Sequence, residues 1–269
     1  MKNRLRLIFY PIFFSLLIYI FIEPFWIEEK TIIYRHTDIP ASFSGMKIVF
    51  LTDIHHGPFF SIDRVRSLVD RVNALHPDII ILGGDFVHHG SEYIESCFKE
   101  LARLSAPMGV FGVLGNHDHW ENAALTRKEM EKAGIKDLDN DAVWLNRGKE
   151  RIKLGGVGDF LEDDQDTSKT TDDVSSSDFV MLASHNPDFA EVAPVKIDLI
   201  LSGHTHGGQV TLLGLWAPIL NSMYGQKYLT GIVKNGSTDV IISNGIGTIT
   251  PPVRFFARPQ IVIIELQKK

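Results

Sequence analysis

Apolar positions follow two patterns along the 269 residues. One is a single dense block: Leu7 to Ile22 holds fourteen apolar residues in sixteen, interrupted by Pro11 and Ser15 and without a charged residue. Lys2, Arg4 and Arg6 precede it; Glu23, Glu28 and Glu29 follow, with Phe25 and Trp26 as an aromatic edge. A helix packed on a soluble core shows a polar face, and this block has none. The small-residue pattern of a signal cleavage site is missing too. Residues 1–27 are therefore expected to be an uncleaved membrane anchor, spanning the bilayer or dipping into one leaflet. At 1.5 Å per residue the block reaches about 24 Å, short of the ~30 Å hydrocarbon core, so a crossing needs extension to Trp26. Three bases before the block against Lys30 and Arg35 after it leave the sidedness open.

The other pattern follows a linker expected over residues 28–45. Met46–Leu51, Asp78–Leu82, Val110–Leu114, Phe179–Ala183, Ile197–Leu201, Val240–Ser243 and Ile261–Leu266 are apolar runs that read as strands. Their continuous character predicts burial on both faces. Ala142–Leu145 and Arg151–Leu154, about Gly148, predict a hairpin. Helical spacing of Ile62, Val65, Leu68, Val69 and Val72 puts a helix over residues 61–74 with Ser61 as N-cap; Ser91–Leu104 and Asn122–Lys132 read as helices as well. No internal repeat interrupts the alternation, so one α/β domain is expected over residues 46–269.

Composition adds exclusions. Apolar residues at 44% and charged residues at 22% are the mix of a globular domain. Lys plus Arg number 27 against 33 acids, a net −6, which argues against a nucleic-acid partner held by a basic field. Eight acids and only Lys169 as a base lie between Asp159 and Asp178, a run that predicts a solvated, mobile loop. The single Cys97 excludes an internal disulfide and a Cys-based zinc site.

The candidate chemistry sits just past the strands. In order, the runs end in Asp53-Ile54-His55, Gly83-Gly84-Asp85, Gly115-Asn116-His117-Asp118, Ser184-His185-Asn186-Pro187-Asp188 and Ser202-Gly203-His204-Thr205-His206-Gly207-Gly208. Residues past the carboxyl ends of strands line the ligand crevice of layered α/β folds, so these clusters should converge. In the D-x-H and H-x-H spacings, alternate residues of an extended segment point the same way. Carboxylates with imidazoles suit manganese, zinc or iron; an all-oxygen calcium or magnesium site would not need four histidines. His36, His76, His88, His89 and His119 fall outside the pattern and are assigned to surface or loop, and His56 should point away from His55. Arg254 is left between a substrate-phosphate contact and a packing role. No G-x-S-x-G or P-loop signature occurs.

With these blocks in place, the chain from about Met46 to Leu266 resembles the calcineurin-like metallophosphoesterases, whose D-x-H, G-D, G-N-H-D, lone-His and G-H-x-H motifs stand here as DIH, GGD, GNHD, SHNPD and GHTHGGQ. The resemblance implies a four-layer αββα sandwich of two mixed sheets. It implies two divalent metal ions, one held by Asp53, His55 and His206 and the other by Asn116, His185 and His204, with Asp85 bridging. It makes His117 the catalytic histidine and Asp118 the residue that orients it. GHTHGGQ, the late GIGTITPPVRFFARP and the N-terminal block look like a membrane-associated branch that includes UDP-diacylglucosamine hydrolases of lipid A synthesis and related envelope phosphodiesterases.

The implied activity is hydrolysis of a phosphodiester or pyrophosphate bond in a lipid-linked or nucleotide-linked substrate at the inner membrane, with conversion of UDP-2,3-diacylglucosamine to UMP and an acylated sugar phosphate as the specific case. Phosphomonoester or cell-wall polymer substrates are the alternatives. An inactive binding scaffold would have lost ligands, and all seven ligand positions and His117 are present. The apolar stretch after GHTHGGQ is expected either to pack on the core or to form an exposed lip of Leu215, Trp216, Ile219 and Leu220 beside the site.

Overall fold

The computed structural model describes residues 2–269, with side chains from Tyr10 onward apart from that of Ile12. The N-terminal block forms helix α1 (Lys2–Ile22). Among the described residues no helix is long and apolar enough to cross a membrane, so the spanning alternative of the expected anchor is without support. The apolar side chains of α1 are nonetheless bare: Tyr10, Phe13, Phe14, Leu16, Leu17, Ile18, Phe21 and Ile22 are all exposed.

The expected linker is largely a strand. Strand β1 (Glu28–His36) pairs in parallel with β12 (Gln260–Lys268), from Glu28 opposite Gln260 to His36 opposite Lys268. It lies at the sheet edge with most of its residues partly or fully exposed, so it carries polar residues and has no continuous apolar run.

Two six-stranded sheets follow. The first has the order β1-β12-β2-β3-β4-β5, where β2 is Lys47–Leu51, β3 Ile79–Leu82, β4 Val110–Gly112 and β5 Lys136–Asp137. The second has the order β10-β11-β9-β8-β7-β6, with β6 Ala142–Arg147, β7 Glu150–Gly156, β8 Val180–Ala183, β9 Leu199–Ser202, β10 Gly231–Asn235 and β11 Thr238–Ile242. Both are mixed: β2 through β5 and β7, β8, β9 and β11 run parallel, while β12 opposes β2 and the edges β6 and β10 oppose their neighbours.

Period-two alternation explains the burial on both faces. Ile48, Phe50, Ile79 and Ile81 face Met181, Ala183, Leu199 and Leu201 in the core between the sheets. Val49, Leu51, Ile80 and Leu82 point the other way, into helices α2 (Ile62–Ala74), α3 (Ile94–Leu101) and α4 (Asn116–Lys132). On the second sheet Val180, Leu182 and Ile200 meet Phe189 and Tyr228 from short 3-10 turns, so this outer layer is thinner than the helical one. Ser61 has the extended backbone of an N-cap, without a side-chain cap bond.

The acidic run is not the free loop its composition suggests. Asp159 is fully buried, Asp163 pairs with Arg127 at 3.1 Å, Asp173 pairs with Lys153 at 2.7 Å, and residues Ser168–Thr171 form the short helix α5 with Thr170 and Thr171 buried. Partners distant in sequence absorb the local charge.

Candidate active site

The segments leaving β2, β3, β4, β8 and β9 meet at one edge of the sandwich. Residues 53–56 run beside 84–86 through backbone bonds from Asp53 N to Gly84 O, His55 N to Asp85 O and His56 N to Phe86 O. The side chains reach the site by a route other than the extended alternation expected. Asp53, His55, Asp85, His204 and His206 all have positive φ, between 50° and 66°. That left-handed backbone is uncommon for residues with a Cβ and clusters at functional sites where surrounding structure enforces it. Close approach is the role of two glycines. A Cβ on Gly115 would lie 2.3 Å from Asp85 Oδ1, and one on Gly203 would lie 2.3 Å from Asp53 Oδ2.

The seven predicted ligand residues come together, all buried, in two groups that share Asp85. In the first, His55 Nε2 lies 3.1 Å from His206 Nε2, His206 Nε2 lies 3.3 Å from Asp53 Oδ1, and Asp85 Oδ2 lies 3.5 Å from His55 Nε2. In the second, His185 Nε2 lies 3.3 Å from Asp85 Oδ2, 3.2 Å from Asn116 Oδ1 and 3.2 Å from His204 Nδ1. Asp53, His55 and His206, and separately Asp53, Asp85 and His185, bring ligand atoms close enough to hold one ion. The donor set fits a divalent cation. A proton between two imidazole nitrogens satisfies one pair only, whereas a cation satisfies every lone pair aimed at it and offsets two buried carboxylates.

Electrostatics agree with that need. Burial pushes the Asp53 carboxyl up to about 6. Burial also lowers His204 to about 3 and holds His55 and His206 well below the usual range, so these rings stay neutral, the form that binds metal. Burial opposes charge on Asp85 and on His185 as well, but their mutual attraction prevails: the carboxyl is held well below its usual range and the imidazole well above.

His117 lies in the first turn of α4 and lines the cleft, and its backbone N–H donates to Asp85 Oδ1 at 2.9 Å. The expectation for Asp118 needs correction. Its carboxylate accepts backbone N–H groups from Asp85 at 2.7 Å, Phe86 at 2.9 Å and Gly115 at 2.9 Å, so it clamps the two ligand loops together. The ring of His117 meets a residue that sequence reasoning assigned to the surface: His88 Nδ1 lies 2.9 Å from His117 Nδ1. His88 and His89 both line the cleft. The available signal was position, three and four residues past Asp85 on a loop that already carries a candidate ligand. His56 turns away as expected, bonded through Nδ1 to Phe60 O at 2.8 Å and through Nε2 to Ser96 at 3.0 Å.

Arg254 does not reach into the cleft as a phosphate contact. It is fully buried and donates to four carbonyls: His206 O at 3.2 Å, Ala257 O at 2.6 Å, Asn244 O at 2.7 Å and Gly247 O at 2.6 Å. Its own N–H donates to Ile20 O at 3.0 Å, and the buried Glu23 carboxylate accepts from Phe256 N and Ala257 N at 2.8 and 2.7 Å. The end of α1 is thereby bonded to the segment that holds His206. The cleft is about 610 Å³, with Trp120, Leu161, Met223 and Ile249 among its walls. The 212–219 segment is the exposed lip of the two alternatives, with Leu215, Trp216 and Ile219 bare and Leu220 half-buried.

Comparison with known proteins agrees with this geometry. A family model, Calcineurin-like phosphoesterase, matches residues 46–208. The metallophosphoesterase YkuE of Bacillus subtilis is 30% identical, the match covering 92% of this chain and 88% of that one. The phosphodiesterase YaeI of Escherichia coli is 30% identical over 91% of this chain and 90% of its own. A Danio rerio transmembrane protein with a metallophosphoesterase domain is 27% identical over 86% of this chain and 55% of its own. Among solved structures, the 5'-nucleotidase precursor of Thermus thermophilus superposes with a TM-score of 0.51 at 15% identity, over 75% of this chain and 49% of that one, a likeness of fold.

Proposed function

Because this chain belongs to the calcineurin-like phosphoesterase family and is a metal-dependent phosphoester hydrolase, we propose that it cleaves a phosphodiester or pyrophosphate bond in a lipid-linked or nucleotide-linked substrate at a membrane surface. The observation that carries this is the convergence of seven buried donors into two groups sharing Asp85. Asp53, His55 and His206 would hold one cation, Asn116, His185 and His204 the other, and Asp85 both. A pair of divalent cations supplies Lewis acidity toward phosphoryl oxygens and lowers the pKa of water at the site.

The chain's own residues do the rest. Burial lowers the pKa of His117, which makes its imidazolium form a stronger acid. His88 Nδ1, 2.9 Å from His117 Nδ1, holds the ring, and the His117 imidazolium would pass its Nε2 proton to the departing oxygen and be left as neutral imidazole. Asp118 fixes the spacing of the Asp85 and Asn116 loops, and Arg254 holds the His206 carbonyl. These are positioning roles.

The exposed apolar side chains of α1 and of the lip support membrane association. α1 is apolar on all sides, so a groove on a partner protein would cover one stripe of it and leave the others wet. A helix that is apolar all round suits burial in a bilayer, whether it spans or dips into one leaflet. UDP-2,3-diacylglucosamine, with a pyrophosphate next to acyl chains, is the specific substrate proposed.

Metal analysis with a substrate screen tests the reading. Natively purified protein should carry close to two transition metals per chain, and Asp85→Ala should lose metal and activity together. Hydrolysis should extend to phosphodiesters and UDP-2,3-diacylglucosamine. Activity that survives chelation in a metal-free protein would refute it.

A further inference from the structure

A second cavity, of about 300 Å³, lies against the catalytic cleft, and His206, Asn221, Ile249 and Thr250 form walls of both. Its remaining lining includes Val210, Pro218, Ile219 and Pro251, and no Asp, Glu, Lys or Arg. The one long polar side chain in the wall is already committed. Gln209 Nε2 donates to Ile249 O at 3.2 Å and Pro251 O at 2.8 Å, and its Oε1 accepts from Ile249 N at 3.0 Å. A sugar or phosphate there would meet few polar groups beyond Asn221 and two threonines, whereas a hydrocarbon chain would lose water at little polar cost.

The cavity also has two open connections. Val210 and Ile219, on its rim, are 38% and 77% exposed and continue into the bare Leu212, Leu213, Leu215 and Trp216. Val210 bridges to Phe255, whose ring and that of Phe256 meet Tyr19 of α1 at 5.9 and 5.8 Å. The rim is thus contiguous with the apolar anchor. At the other end the shared His206 belongs to the ligand cluster, so a chain in the cavity lies next to the reacting centre. The lip is held in place, because Asp188 accepts from Ser222 Oγ at 2.6 Å and Met223 N at 2.7 Å.

We propose that this second cavity is an acyl-chain subsite, taking one hydrocarbon chain of a phosphorylated lipid whose phosphate lies at the Asp85-centred cluster. The inference rests on the two-metal phosphoesterase reading and narrows its substrate class to lipids that carry a chain close to the scissile phosphate. It also makes the exposed lip the path by which the chain leaves the bilayer.

The test is calorimetric binding of non-hydrolysable alkylphosphonates, methyl to dodecyl and below their micelle concentrations, to the manganese-loaded full chain. The dissociation constant should fall roughly three- to fourfold per added methylene until the cavity is filled, and then level off. Ile219→Asn and Val210→Asn, both at the exposed rim and outside the catalytic cleft, should each leave methylphosphonate affinity unchanged and cut the octyl-over-methyl preference roughly tenfold. Measurable methylphosphonate binding with no gain along the series would overturn the acyl subsite alone. A full gain retained in both variants, or matched by octyltrimethylammonium, would place the chain elsewhere and overturn it too. Failure of every phosphonate to bind the metal-loaded protein would instead remove the two-metal reading on which the subsite depends.

Discussion

Replacing Arg254 by Met keeps much of the side-chain volume and removes the guanidinium that four carbonyls share. His206 O, Ala257 O, Asn244 O and Gly247 O then face an apolar group in a place with no exposure. Hydrogen bonds to a charged donor contribute about 1.5–3 kcal/mol each, so the four gross about 6–12 kcal/mol. Burying the guanidinium costs several kcal/mol of desolvation, which the variant recovers. The net loss expected is about 3–5 kcal/mol, the range seen when one side of a buried polar network is deleted. Arg254→Lys should fall between the two, because an ammonium offers three donors from a single point where the guanidinium offers a planar fork. The assay is urea unfolding of full-length protein followed by tryptophan fluorescence, with manganese titrated in parallel. Arg254→Met should also weaken manganese binding, because His206 loses the brace on its own carbonyl. A variant within about 0.5 kcal/mol of the parent, the band of an ordinary surface substitution, with unchanged metal affinity would refute the bracing role.

His117→Ala should keep both metals and lose about 10²–10⁴-fold in rate on esters with poor leaving groups, and much less on p-nitrophenyl esters, as a Brønsted series would show. Equal losses across the series would exclude proton donation by His117. Metal-free protein should become less stable as pH rises from 6.5 to 8.5, read as a falling Tm. Burial raises Asp139 to about 7 and Asp118 to about 8, and Asp85 keeps His185 raised despite its burial, so over this window the folded state holds protons that the unfolded chain has released. Below about pH 6.5 the lowered imidazoles of His55, His204 and His206 act in the opposite sense, because only the unfolded chain protonates them. A flat or rising Tm between pH 6.5 and 8.5 would contradict the assignment.

The sequence by itself determined what depends on periodicity and on chain order. Continuous apolar runs marked seven of the twelve strands, because a strand buried on both faces has no polar alternative, and the 142–154 hairpin added two more. The three strands that escaped it are β1 and β10, partly exposed edge strands that carry polar residues, and the two-residue β5. The seven candidate ligand positions were legible because each follows a strand that ends at the same edge of the sandwich, and topology together with local left-handed backbone then brings them together.

Tertiary structure decided whatever depends on partners far along the chain. His88 and Asp118 exchange their expected importance because backbone N–H groups from another loop reach Asp118 first, leaving the His117 ring to His88. Arg254 is a buried brace because four carbonyls from residues 206–257 close around it. The acidic run is ordered by Arg127 and Lys153, which no local count of charge could reveal. Local composition reports what a segment prefers when surrounded by water; the fold substitutes other groups for that water, and their identity is set by packing.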